Sequence, residues 1–230
     1  MFFIPRFLIS ILMTSLFLSS VVLGEESLSH SFQTENYQLL KPFHIQQDKV
    51  DGCSLASVLM IVNALRAQEN PQAKPWTQSK IRRYLMTGPS KLRSWYQKVR
   101  GKGRGVGRNR LVSYLPALLE ELYLDGEIEK YRQVRLKHRK KTSLKTFRND
   151  LEAVTHGEHK FMLLNYSAHW SPLGWYDEEE STLRVLDVDS AESYEREYSY
   201  SLRQGEEEFD VKRFFYGPMK TRGYILVEVF

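Results

Sequence analysis

Cysteine is almost absent from this sequence, in which Cys53 is the only one among 230 residues. A single thiol excludes an intramolecular disulfide and also a zinc site built from several thiolates. Exported proteins usually carry cysteines in even numbers, because an oxidising compartment pairs them. A lone cysteine is in many proteins a small buried apolar residue, so the count alone does not identify Cys53 as a nucleophile.

The N-terminal segment differs from the rest of the chain in being apolar. Arg6 is followed by an uncharged apolar run from Phe7 to Leu23, after which come Gly24 and an acidic pair. This order is typical of a secretory signal peptide at 1–24, although the run approaches the roughly 18 to 20 residues of a spanning helix. No later run in the sequence is as long and apolar. We expect the signal to be cleaved and the protein to be exported, either periplasmic or secreted; only if the signal stays uncleaved would it hold the protein at a membrane.

The residues after the signal predict a linker and one globular domain. Polar residues dominate 25–36, which we interpret as the linker, and the domain is expected at 37–230. With 42% apolar and 27% charged residues, the chain has the composition of an ordinary globular protein, which excludes a disordered or fibrous one.

The spacing of apolar residues changes from a helical to a strand period along the domain. Helical spacing predicts a buried helix that begins at Cys53 and ends before Asn70 and Pro71. Further helices are predicted at 77–86, 111–124 and 143–155. Aromatic and branched residues predict strands at 160–166, 172–176, 182–188 and 223–230. The predicted fold class is therefore α+β, with a mainly helical first half and a mainly sheet second half.

The position of Cys53 suits a catalytic nucleophile. A thiol attacks carbonyl carbons as the thiolate, and at a typical pKa of about 8.5 little of it is ionised at neutral pH. In the first turn of a helix, unpaired N–H groups and the helix dipole favour negative charge. A neighbouring imidazolium can bring the pKa of a thiol so placed down to about 3 to 4. The search for a catalytic partner therefore turns to the histidines.

His169 is the candidate partner among the six histidines. It lies where a strand is predicted to begin, and such a position can hold an imidazole ring over a cleft. His44 precedes the turn before Cys53 and remains a second candidate. The other four lie in the linker or among charged residues, at 30, 138, 156 and 159. The pair His156 and His159 lacks a further acid or cysteine at a familiar spacing, so no metal site is predicted.

An acidic partner for His169 can be sought through hairpin geometry. If 177–180 is the turn between two strands, the residue opposite His169 is number 188. Asp187 and Asp189 each lie one residue from that position. Either carboxylate could accept the imidazole N–H and hold the ring in the tautomer that deprotonates the thiol. The register alone leaves both acids as candidates.

Two glutamines just before the cysteine are candidates for stabilising an oxyanion. The tetrahedral intermediate of acyl transfer carries negative charge on an oxygen, which side-chain amides and backbone N–H groups stabilise. Gln46 or Gln47 could supply the amide, together with the backbone N–H of Cys53. Glutamines before a helix are often only solvated, so position alone does not choose between the two.

Three segments of the chain carry a recognisable pattern. The first is Gln47–Leu65, QDKVDGCSLASVLMIVNAL, in which a glutamine stands six residues before a cysteine and its helix. The second is HWSPLGWY from His169, and the third is VLDV around Asp187. Together they resemble the phytochelatin synthases of the short bacterial type, a papain-like family that acts on glutathione. The resemblance runs from about Phe43 to Val188.

The resemblance implies a fold and a set of catalytic residues. The fold is expected to be papain-like, with a helical N-terminal lobe whose nucleophile helix packs against an antiparallel β-sheet in the C-terminal lobe. The catalytic residues that it implies are Cys53, His169, Asp187 and Gln47. The resemblance thereby favours Asp187 over Asp189, and Gln47 over Gln46.

The reaction that the resemblance implies is acyl transfer on glutathione. Cys53 would cleave the Cys–Gly bond and hold a γ-glutamylcysteinyl thioester, which water or a second glutathione resolves. After the aspartate the family has an arginine and an aromatic, proline-containing stretch, whereas this chain has Asp-Ser-Ala-Glu at 189–192, which favours hydrolysis over phytochelatin synthesis. Ser54 stands where the family usually has glycine. No tightly bound cofactor is implied, and divalent cadmium or zinc would enter as a metal-thiolate substrate.

Other functions are compatible with the same residues. A papain-like peptidase acting on a protein or peptide needs the same triad, and an exported binding protein could carry a thiol by coincidence. Basic stretches at 98–110 and 132–141 could bind nucleic acid, but acidic runs at 178–180 and 206–208 offset their charge. We therefore expect glutathione or a related thiol peptide, and no nucleic acid, as the partner.

Overall fold

The computed structural model describes residues 34–48, 52–88, 90–99, 108–123, 134–139, 143–166, 169–179, 181–189, 197–201 and 223–230. Residues Thr34–Phe230 form one compact unit. The predicted signal peptide, most of the predicted linker and residues 190–192 lie outside the described residues. Among the helices within the ranges above, none is long and apolar enough to cross a membrane.

The described helices lie in the first two thirds of the chain. They are α1 (Glu35–Leu40), α2 (Cys53–Glu69), α3 (Gln78–Thr87), α4 (Ser90–Val99), α5 (Arg108–Tyr123) and α6 (Leu144–Thr155), with a 3₁₀ turn at Lys41–Phe43 after α1. Hydroxyl side chains set the start of α1, α3 and α6, because Thr34, Thr77 and Ser143 each accept a backbone N–H from three residues further on. Each cap satisfies an N–H group that a first helical turn leaves without a partner.

Helix α2 is the buried axis of the helical part. Every residue from Cys53 to Arg66 is buried, as expected for a helix that is apolar on most sides. The helix ends where Asn70 becomes extended and its N–H donates to the carbonyl of Arg66 over 2.8 Å. Asn63 exchanges two hydrogen bonds of 2.8 and 3.0 Å with the backbone of Trp76, which fixes the loop between α2 and α3.

Strands of the second half form an antiparallel sheet. They are β1 (Val134–Arg139), β2 (Lys160–Tyr166), β3 (His169–Asp177), β4 (Thr182–Leu186), β5 (Glu197–Ser201) and β6 (Gly223–Val229). Their order across the sheet is β1-β6-β2-β3-β4-β5, and each described neighbouring pair is antiparallel. The mixture of helices and antiparallel strands confirms the predicted α+β class.

The central strands β2, β3 and β6 are buried on both faces, and their side chains alternate between the faces as strand geometry requires. Phe161 and Leu163 of β2 pack into a core that contains α2, α3 and α5, while Met162 and Leu164 pack with α6 in a second core. Strand β3 contacts α2 on one side and α6 on the other. His169, the first residue of β3, is therefore carried on a strand that packs against the helix of Cys53.

Most of the predicted elements occur within three residues of their expected ends, but α1, α4, β1 and β5 are not predicted. Helix α1 begins at Glu35, so the last two residues of the predicted linker at 25–36 lie in a helix. Asn36 is buried there, and its side-chain amide donates to the carbonyls of Val154, Gly157 and Lys160 at 2.6 to 3.0 Å. These contacts anchor a segment whose polar composition resembles that of a linker.

The hairpin of β3 and β4 corrects the predicted register. With a turn at 177–180, Asp177 would pair with the residue at 180, but its partner is Thr182. A bulge at Gly174 then shifts the ladder, so that Leu173 pairs with Val185. The predicted register is wrong by two residues at the turn and by one beyond the bulge.

Candidate active site

Cys53 is the first residue of helix α2, as predicted, and only 2% of it is exposed. Gly52 precedes it as the N-cap and supplies no side-chain cap. The carbonyl of Gly52 accepts the N–H of Ala56 at 2.9 Å, so the helical ladder begins here. The N–H groups of the first turn, including that of Cys53, therefore have no carbonyl partner within the helix, and the sulfur lies at the positive end of the helix dipole.

His169 lies between a carboxylate and the thiol. Its Nε2 is 2.8 Å from Oδ1 of Asp187, and the side chain of Cys53 is near enough to its ring to help raise the pKa of the imidazole. Because Nε2 faces the carboxylate, Nδ1 is the ring nitrogen left for the sulfur. The side chain of His169 is 17% exposed, so the ring is partly accessible while its two partners are buried.

Asp187 follows the last residue of β4 and is 8% exposed. Its Oδ1 accepts hydrogen bonds from Nε2 of His169, from the backbone N–H of Asp189 at 2.8 Å and from Oγ of Ser171 at 3.5 Å. The second histidine candidate, His44, has its Nε2 2.5 Å from the backbone carbonyl oxygen of Asp187. These contacts hold the carboxylate in one orientation toward the imidazole.

The groups around His169 stabilise its protonated form. Burial alone lowers the pKa of the ring, but the hydrogen bonds and charges of Asp187 and Cys53 outweigh burial and raise the pKa from 6.5 to about 10. At neutral pH the ring is therefore an imidazolium.

Gln47 lies in a segment that runs against residues 187–189. It is 6% exposed, and its backbone N–H donates to the carbonyl of Val188 at 2.8 Å. Its Nε2 donates to Oδ1 of Asp189 at 3.2 Å, and its Oε1 has no hydrogen-bond partner among the described residues. Of the two acids that hairpin register leaves open, Asp187 contacts the imidazole, whereas the carboxylate of Asp189 contacts the amide of Gln47.

Two buried serines, neither of them a predicted site residue, link the segments that hold Cys53, His169 and Asp187. Ser57 lies one turn after Cys53, and its Oγ donates to the carbonyl of Trp170 at 2.9 Å, which links α2 to the residue after His169. Ser171, also buried, donates to Asp187. A hydroxyl in an otherwise apolar buried helix needs a hydrogen-bond partner. A serine in the middle of such a helix, like Ser57, can therefore be recognised from the sequence as a contact to another element.

Ser57→Ala is expected to weaken the contact between α2 and β3. The change removes a buried donor to the carbonyl of Trp170, so the free energy of unfolding should fall by about 1–3 kcal/mol in urea denaturation. Ser79→Ala, at an exposed position of α3, is the matched control. Equal stabilities of the two variants would contradict the structural role of Ser57.

The remaining candidates make other contacts or lie outside the described part of the chain. His156 pairs with Glu178 at 2.8 Å on the surface, and the carbonyl of Gln46 accepts the side-chain amide of Gln78 at 2.7 Å. Within the described ranges, no group of three potential metal-ligating side chains occurs. The side chains of the basic stretch 98–110 lie outside the described residues.

The chemical groups that nucleophilic acyl transfer needs are present in Cys53, His169 and Asp187. A buried sulfur can attack, an imidazolium can donate a proton to a leaving group, and a carboxylate can keep the ring in place. The sequence matches no protein-family model and no curated protein. The function therefore has to be inferred from this site and from the sequence segments around it.

Proposed function

We propose that this protein is a papain-like cysteine acyltransferase of the phytochelatin synthase type, which cleaves glutathione at its Cys–Gly bond and favours hydrolysis. The observation that carries the proposal is the place of His169, which is hydrogen-bonded to Asp187 over 2.8 Å and interacts with the side chain of Cys53 at the start of α2. The resemblance of the segments around these residues to that family supports glutathione as the substrate. The signal-like segment 1–24 supports a site of action after export.

In the first half of the reaction, the thiolate of Cys53 attacks the carbonyl carbon between the cysteine and glycine of glutathione. A carbon–sulfur bond forms and the carbonyl oxygen becomes an oxyanion, for which the backbone N–H of Cys53 and the amide of Gln47 are the donors. His169 gives its proton to the glycine nitrogen, the carbon–nitrogen bond breaks, and glycine leaves. The enzyme then holds a γ-glutamylcysteinyl thioester.

In the second half, water attacks the thioester while the neutral His169 takes one of its protons. The carbon–sulfur bond breaks, γ-glutamylcysteine leaves, and the thiolate and imidazolium are restored. Asp187 keeps the ring oriented throughout. The exposed carboxylate of Asp189 lies beside Asp187 and repels the carboxylates of a second glutathione, which supports hydrolysis over phytochelatin synthesis. Cadmium or zinc takes part as the thiolate complex of the substrate.

The products formed from glutathione test the proposal. Purified protein incubated with glutathione, with and without cadmium, should release glycine and γ-glutamylcysteine in nearly equal amounts, with phytochelatin as a minor product that accounts for the small excess of glycine. Mass spectrometry separates the three products. Nearly equal amounts are expected because each turnover breaks one Cys–Gly bond and water resolves most of the thioester. Phytochelatin as the main product would contradict the preference for hydrolysis.

A papain-like peptidase is the alternative that the same experiment can reveal. Iodoacetamide labelling at pH 6 reports whether Cys53 is an activated thiolate, because an ordinary thiol is almost entirely protonated there. Rapid labelling without glycine release would replace the glutathione assignment by a peptidase that acts on a protein or peptide. Slow labelling without turnover would instead fit a binding protein whose thiol has no catalytic role.

A further inference from the structure

Asp189 contacts both the acid and the amide of the site. Its Oδ1 accepts the hydrogen bond from Nε2 of Gln47 at 3.2 Å, and its backbone N–H donates to Oδ1 of Asp187 at 2.8 Å. The backbone N–H of Gln47 donates in turn to the carbonyl of Val188. The short segment 187–189 therefore fixes at once the carboxylate that faces His169 and the glutamine that precedes Cys53.

We propose that Asp189 is a positioning residue, whose carboxylate sets the orientation of the Gln47 amide so that the amide can donate to the oxyanion. This inference rests on the proposed function. An ionised carboxylate only accepts hydrogen bonds, so it favours the amide orientation in which Nε2 faces it. A primary amide carries two N–H groups, and one of them donates to Asp189. The second remains for a substrate oxygen.

The surroundings of Gln47 make its orientation depend on this contact. The residue is buried, and within the described part of the chain its Oε1 has no hydrogen-bond partner. The two orientations of an amide differ little in shape, so hydrogen bonding decides between them. Turning the amide would place Oε1 against the carboxylate of Asp189, an acceptor against an acceptor, and would remove the donor that faces the oxyanion.

Four variants test this role through the kinetics of glycine release. They are Asp189→Ala, Asp189→Asn, Gln47→Ala and the double variant of Asp189→Ala with Gln47→Ala. The backbone N–H of residue 189 is kept in each of them, so the comparison isolates the carboxylate from the bond to Asp187. Glu179→Gln changes an exposed carboxylate in the turn between β3 and β4 and is the matched control, expected to keep the wild-type kcat.

The expected changes lie in kcat, with KM within about twofold of wild type, because the oxyanion forms only after substrate has bound. Gln47→Ala should lower kcat about 100-fold, and Asp189→Ala about tenfold. Asp189→Asn should lower it only about two- to threefold, since the asparagine oxygen still accepts the amide N–H. The double variant should be no slower than Gln47→Ala alone, because Asp189 acts through Gln47.

Effects of the two substitutions that multiply in the double variant would overturn the proposal, as would a wild-type kcat in Asp189→Ala. Labelling of Cys53 by iodoacetamide forms no oxyanion and should proceed at the wild-type rate in all four variants. Slower labelling in Asp189→Ala would also overturn the proposal, because Asp189 would then act on the thiolate.

A second acyl donor separates this inference from the proposed function. p-Nitrophenyl acetate transfers its acetyl group to a thiolate through the same kind of oxyanion, so the four variants should rank in the same order with this ester. If the ranking holds but glutathione releases no glycine, the glutathione assignment fails and the role of Asp189 stands. If the ester reacts equally fast with all variants, the role of Asp189 fails.

Discussion

Cys53→Ala is expected to abolish the release of glycine from glutathione, with a fall in kcat on the order of 10⁴- to 10⁶-fold. Alanine has no atom that can attack the carbonyl carbon, so no thioester forms. His169 and the oxyanion donors remain, but they can act only on water held against the peptide bond. Mass spectrometry of glycine after long incubation measures the residual rate.

A serine at the same position is the matched control for the chemistry. Cys53→Ser keeps the shape of the buried side chain, but a hydroxyl is far less ionised than a thiol at neutral pH and should also lose most of the activity. Removing the sulfur from the interior costs about 1–2 kcal/mol, so both variants should still unfold cooperatively on heating. Full glycine release by Cys53→Ser would eliminate a thiolate mechanism.

The elements that the sequence predicts are those with a clear apolar period. Helix α2 is buried throughout, and β2 is buried on both faces, so both appear as dense apolar runs. Strand β1 has basic residues at 135, 137 and 139 and lies at the edge of the sheet, where these charges remain accessible. These charges make the alternation of apolar and polar residues in β1 hard to recognise from the sequence. Helix α1 is held in place by the contacts of Asn36 with residues far away in the sequence. No local sequence pattern predicts such contacts.

Some residues of the candidate site can likewise be predicted from local sequence, whereas others depend on tertiary structure. Cys53 at a helix start and His169 at a strand start could be chosen from local sequence. Continuing the observed pairing of Leu173 with Val185 would place Asp189 opposite His169. Strand β4 ends at Leu186, however, and beyond it Asp187 meets the ring. Neither the bulge at Gly174 nor the end of the ladder can be read from residue spacing.

Tertiary packing also decides the contacts that support the site. The bond from Ser57 to Trp170 requires α2 to lie against β3, and the bond from Gln47 to Asp189 joins residues 142 positions apart. The sequence contains the polar groups that must find partners in the interior. Which partners they find depends on how the helical half packs on the sheet. Such pairings are therefore set by tertiary packing and not by residue spacing.

The activity should fall on the alkaline side with the loss of the His169 proton. The pKa of the ring is raised to about 10, so kcat/KM should decrease about tenfold per pH unit above pH 10, where the ring can no longer protonate the leaving nitrogen. Asp187→Asn removes one of the charges that raise this pKa and should move the alkaline limb down by about 1–3 pH units. Ionisation of the substrate is the same for both enzymes, so the ratio of their kcat/KM values isolates His169.

The pH dependence of the free energy of unfolding is a second way to measure the raised pKa of His169. Because the folded pKa of His169 lies above its unfolded value of 6.5, the folded state binds more protons than the unfolded state between about pH 6.5 and 10. The stabilisation is fully present below pH 6.5 and is lost as the pH rises toward 10. Urea denaturation should therefore show wild type losing stability relative to His169→Gln over this range. Parallel pH profiles would mean that folding leaves the pKa of His169 unchanged, and the alkaline limb of the activity would then have another cause.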